Sequence, residues 1–141
     1  MLTVADYWMG RDVTHALSLS TQIRANAART VEIVNKLLVL AKTAGVGLEV
    51  HPRTGTVLSS GWRPPAINAT TPGAAPRSKH LLGLAADIYD PDGDLDEWLM
   101  SESGQRVMVD LGLWHEHPAC TRGWAHVQTV PPRSGRRTFY P

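Results

Sequence analysis

The sequence has one cysteine, Cys120, so no intrachain disulfide framework can hold it together. It has no apolar run near the roughly 18 residues of a membrane-spanning helix, and no membrane insertion is expected. It also lacks an excess of one charge: 14 Lys and Arg stand against 13 Asp and Glu. A net charge of +1 gives no mandate for nucleic acid, so no nucleic-acid partner is expected. The start, Met1 to Asp6, shows no basic stretch followed by an apolar core, so no ordinary signal peptide is read. Synthesis in a cytoplasm is the expectation. No internal repeat is visible. What is present is 141 residues, 43% hydrophobic and 19% charged. That is the length and composition of one globular domain, 1–141, taken here as a monomer.

The strongest periodic signal runs from Ser20 to Ala44. Ile23, Ala27, Val31, Val34, Leu38 and Ala41 recur at three- and four-residue steps and give one apolar face. Ser20 is a natural N-cap, and Gly45 suits the position just past the helix end. Before this helix lies a turn-rich lead-in with at most one helical turn. After it, Val46 to Val50 and Thr56 to Ser59 flank a Pro- and Gly-containing turn, which predicts a hairpin. Residues 63–77 read as a long irregular loop, a type that often carries function. Ala85 to Tyr89 reads as a buried strand that ends in an acidic turn. Asp94, with Glu97 three positions on, predicts a capping box for a helix over 95–100. A second helix spans 104–111 and ends at Gly112. Strands are expected over 113–115 and 124–129. The basic tail from Pro131 to Arg137 reads as irregular.

The chain's chemistry gathers at Ser78-Lys79-His80-Leu81-Leu82-Gly83-Leu84-Ala85-Ala86-Asp87. An imidazole and a carboxylate are suitable zinc ligands, and a catalytic zinc takes three protein ligands and keeps one open position. His126, in Gly123-Trp124-Ala125-His126, is the obvious third donor. Two histidines and an aspartate alone are more often unrelated. The ordered pattern S-x-H-x-x-G-x-A-x-D with a later W-x-H is much more specific. Gly83 lets the backbone bend between the ligands, and Ala85 is small enough to lie beneath a metal.

On these residues, together with Ser60-Gly61-Trp62-Arg63-Pro64 and Asn68, the sequence resembles the zinc D-Ala-D-Ala metallopeptidases. These share a fold with lysostaphin-type peptidases and the hedgehog signalling domain. The resemblance covers about half the chain. It implies an α+β fold, a small antiparallel sheet with helices on its outer side. It implies Zn²⁺ on His80, Asp87 and His126, with Arg63 and Ser78 in the substrate site. It implies a peptidase acting on peptidoglycan stem peptides. A phage endolysin, released through a holin pore to reach the cell wall, fits the missing signal peptide. Which bond is cut is not legible.

The general base is where the match thins. Relatives place an acidic residue or a histidine three positions before the last ligand, and here that position is Gly123. The nearest carboxylate upstream is Glu116, flanked by His115 and His117. A carboxylate is the natural base for such chemistry, so Glu116 is taken as the catalytic residue and the histidines as alternatives. Strand alternation sends His115 and His117 to the face opposite Glu116. The gap at Gly123 keeps a second function open: an inactive, zinc-stabilised wall-binding or phage structural protein. Two weaker readings complete the set. Cys120 could pair with His115 or His117 as a nucleophile, though a lone cysteine is more often just a small buried residue. The Asp90-Asp92-Asp94-Asp96 run echoes a calcium loop but lacks its glycine and its final glutamate.

Overall fold

The protein is described here by a computed structural model covering residues 1–141. It is an α+β domain with six α-helices and a five-stranded sheet. The long helix α3, Thr21–Thr43, forms as its stripe dictates. Ala27, Val31, Val34, Leu38 and Ala41 are all buried. The Ser20 hydroxyl accepts from the Ile23 N–H at 3.1 Å, which satisfies one orphan donor of the first turn. At the other end Gly45 takes φ +90°. Its N–H donates to the Lys42 carbonyl and the Val46 N–H to the Ala41 carbonyl, the paired bonds of a Schellman stop.

The lead-in holds more helix than its sequence suggests: α1, Val4–Trp8, and α2, Arg11–Thr14. Thr3 and Asp6 close a capping box on α1, which places Tyr7 and Trp8 in the core.

The sheet runs β1 (Leu58–Ser60), β2 (Ala85–Asp90), β4 (Gly123–Gln128), β3 (Trp114–Glu116) and β5 (Thr138–Phe139), in that spatial order. Two expectations are corrected here. The hairpin does not form, because residues 46–50 make no strand. The outward-facing N–H and C=O of Leu58 are instead taken by the Thr56 and Thr54 hydroxyls, at 3.1 and 2.8 Å. With that edge satisfied, a further strand has nothing to pair with. Residues 131–137 are irregular as expected, but β5 just beyond them pairs in parallel with β3, so the sheet is mixed, not purely antiparallel.

Helices α4 (Pro65–Thr70), α5 (Asp94–Met100) and α6 (Glu102–Leu111) complete the domain. The α4 helix lies inside the segment expected to be irregular. The cap of α5 differs from expectation. Gly93 occupies the N-cap with φ +80°, and Asp94 is already inside the helix. The Asp90 carboxylate, at the end of β2, receives the Leu95 and Asp96 N–H groups at 3.0 and 2.9 Å. One buried carboxylate thus satisfies two orphan donors and ties β2 to α5.

Candidate metal centre

Asp87 on β2 and His126 on β4 are direct partners in the antiparallel ladder, so their side chains stand on one face of the sheet. His80 reaches them from a 3₁₀ turn, Lys79–Leu82, that begins at Ser78. Helix α3 holds this turn from behind. Thr30 donates to the Gly83 carbonyl at 2.8 Å and Asn26 to the Leu82 carbonyl at 2.9 Å. Gly83 sits at φ +73°, and a Cβ there would lie 3.0 Å from the Ile23 carbonyl oxygen. The glycine is therefore required both by its backbone angle and by the close approach of α3.

The three side chains are buried, and their donor atoms lie within 4.8 Å of one another. His80 Nε2 is 3.1 Å and His126 Nδ1 2.7 Å from Asp87 Oδ1. A tetrahedral zinc with bonds of about 2.0–2.1 Å sets its ligand atoms about 3.3 Å apart, so little movement is needed to seat one.

The outer nitrogens explain how the imidazoles are aimed. His80 Nδ1 lies 2.7 Å from the Gly61 carbonyl oxygen, which can only accept, so the proton is on Nδ1 and the Nε2 lone pair faces inward. His126 Nε2 donates to Gln128 Oε1 at 3.3 Å. The Gln128 amide is oriented by its own N–H₂, which donates to the Val130 carbonyl at 2.7 Å. Such outer partners fix tautomer and ring orientation in metal sites. Around a bound cation the inward Nε2, Nδ1 and Oδ1 would be its three donor atoms; without one, a proton between His126 Nδ1 and Asp87 Oδ1 fills the 2.7 Å contact. The cluster can hold a metal ion. Without a metal the shifts are those of imidazoles donating to the carboxylate. Burial pushes the Asp87 carboxyl up, but the two imidazoles outweigh it and hold it well below the usual range. Burial pulls His126 down, yet its bond to Asp87, with the charges of Asp87 and Glu116, leaves it raised. His80 is lowered, chiefly by burial.

The cluster lies on the floor of a cleft of about 870 Å³. Glu116 lines this cleft. The register explains why: Trp114 opposes Gln128 and His115 opposes Val127, so Trp114 and Glu116 share the face of His126 and Gln128. Burial raises the Glu116 pKa, with Asp87 adding to it and the charges of His126, His115 and Arg63 opposing.

The flanking histidines go elsewhere. His115 is wholly buried on the opposite face, with Nε2 2.7 Å from Asp96 Oδ1. His117 Nδ1 accepts from the Ala119 N–H at 3.1 Å, and its ring stacks on Tyr140 at 4.5 Å. Neither lines the cleft.

Arg63 and Ser78 are both in the cleft. The Arg63 guanidinium donates to Ser78 Oγ at 3.0 Å, and its buried Nε has no partner. Ser78 also accepts from the His80 N–H at 3.3 Å, so its hydroxyl orients Arg63 and starts the ligand turn. Cys120 is exposed on the cleft rim and makes no nucleophile pair with either histidine. The acidic run is not a calcium loop: Asp90 caps α5 and Asp96 binds His115.

Neither Gly61 nor Gln128 was singled out from the sequence. Gln128 was within reach, because it lies two positions from His126 on a strand and so shares its face. Gly61 acts through its carbonyl, which no side-chain pattern reports. Its own confinement is tertiary: a Cβ at Gly61 would sit 2.1 Å from the Tyr7 carbonyl oxygen.

No family model, curated protein or solved structure matches this chain. None of the helices is long and apolar enough to cross a membrane.

Proposed function

We propose that the protein is a zinc-dependent peptidase of the D-Ala-D-Ala metallopeptidase type, cutting peptide bonds in peptidoglycan stem peptides as a phage endolysin. The observation that carries this reading is the convergence of His80 Nε2, Asp87 Oδ1 and His126 Nδ1, with both imidazoles aimed by outer partners. Two histidines and a carboxylate form a donor set suited to catalytic zinc, because three protein ligands leave one position open. Zinc, when bound, supplies a Lewis acid for the scissile carbonyl and lowers the pKa of a coordinated water to roughly 7.

The remaining steps belong to the chain. Glu116 stands half-buried on the same sheet face as His126, which suits a group that takes a proton and returns it to the leaving amine. Arg63 has an unpartnered buried N–H and is braced by Ser78. A substrate carboxylate satisfies that donor and fixes the peptide's position. The alternative, an inactive zinc-stabilised wall-binding protein, drew its force from Gly123. Glu116 on the ligand face supports turnover instead.

The test is digestion of purified sacculi by the zinc-loaded and the chelator-treated protein, read by mass spectrometry. New amino termini that need zinc, with no new reducing sugar ends, are expected. The fragment masses also identify the bond. Fragments that are unchanged with and without zinc would sink the proposal.

A further inference from the structure

Over the whole chain the charges nearly cancel, with a formal net of +1. The cleft does not share that balance. Four cationic side chains line it, Arg63, Arg77, Lys79 and Arg133, against two carboxylates, Asp87 and Glu116. A bound divalent metal adds to the excess. The two ion pairs that Lys or Arg form lie elsewhere, Lys36 with Glu32 and Arg106 with Glu102, each at 2.7 Å across one helical turn, and most other exposed cations are unpaired. Arg77, Lys79 and Arg133 take part in no ion pair.

Their origin matters as much as their number. Arg77 and Lys79 belong to the segment that follows β1, the strand at one edge of the sheet. Arg133 lies in the tail that leads into β5, the strand at the other edge. Asp87 and His126 lie between, on β2 and β4. Two segments far apart in sequence thus bring cations to one cleft. Cations gathered around one cleft favour an anionic ligand there.

We propose that these three side chains form a second anion-recognition element, so that the substrate is a peptide with at least two anionic groups. Arg63 takes one beside the metal ligands. The rim takes the other. This rests on the peptidase reading above and narrows its substrate class: a stem peptide that keeps both its terminal and its glutamyl carboxylate binds in preference to one amidated on the glutamyl group. Arg77, Lys79 and Arg133 determine specificity and touch no reacting atom.

The experiment compares two synthetic stem peptides, one with a free glutamyl carboxylate and one amidated there. Binding to the zinc-loaded Glu116→Gln protein is measured by calorimetry at low salt and at roughly 1 M salt, where the screening length is about 3 Å. Exposed ion pairs are each worth about twofold in an equilibrium constant, so three predict a preference of roughly tenfold for the free carboxylate. The preference should collapse at high salt and in the triple variant Arg77→Gln, Lys79→Gln, Arg133→Gln. Equal binding of the two peptides at low salt, or a preference that survives in the triple variant, overturns the proposal. Failure of the two readings is distinguishable. Turnover by the unmodified protein without the preference removes the rim and leaves the peptidase. The preference without turnover does the reverse.

Discussion

Gln128 touches no metal, yet its replacement by methionine should weaken the site measurably. The side chain is buried, and its carbonyl oxygen receives the His126 Nε2 proton. Methionine keeps the volume and removes the acceptor. The ring is then free to change tautomer or to turn, and either places a proton where a lone pair is needed. Loss of such an outer partner typically costs 10–100-fold in metal affinity, or about 1.4–2.7 kcal/mol. At saturating metal the same amount disappears from the metal's contribution to folding stability. Unfolding entropy near 2.1 cal/mol/K per residue gives about 0.3 kcal/mol/K for a chain of this length. The zinc-induced rise in Tm should therefore shrink by about 5–9 °C. Chelator competition reads the affinity and calorimetry reads the Tm, both against the metal-free variant. Gln128→Glu keeps an acceptor and should retain the affinity. If Gln128→Met binds zinc within about threefold of the unmodified protein, the orienting role is wrong.

Further outcomes follow from the same geometry. His80→Ala, Asp87→Ala and His126→Ala should each lose the metal, because each donates one inward atom; full zinc by metal analysis in any two of them removes the site. Glu116→Gln should lower turnover by about 10²–10⁴-fold with zinc and fold retained. The base acts only when deprotonated, so the unmodified rate should fall on acidification through the Glu116 pKa, which burial raises and a bound zinc would lower; an acid limb identical in Glu116→Gln argues against the assignment. His115→Ala should cost roughly 2–5 kcal/mol in urea unfolding, because it leaves a cavity and the Asp96 carboxylate short of its partner. Its zinc content should be unchanged. A loss of turnover matching that of Glu116→Gln, with no loss of stability, would make histidine the base.

Some of this protein is written locally. Helix α3 could be read from Ser20, an apolar stripe and Gly45, because caps and stripes are relations between residues a few positions apart. The grouping of His80, Asp87 and His126 was expected from the S-x-H-x-x-G-x-A-x-D and W-x-H motifs of the family the sequence resembles, and the three side chains do converge. What lay out of reach depended on which distant segments pair. The hydroxyls of Thr54 and Thr56 close the edge of β1 and cancel a hairpin that the turn residues alone favour. A parallel partner for β3 comes from Thr138–Phe139, just past the basic tail, a two-residue stretch that no local pattern marks as a strand. The choice among His115, Glu116 and His117 was a choice of sheet face. Alternation says that neighbours differ, and only the pairing of Trp114 with Gln128 says which of them meets the metal ligands. The Gly61 carbonyl that sets the His80 tautomer belongs to the same class. A backbone oxygen is present at every residue, and only the packing of α1 against Gly61 brings this one to the imidazole.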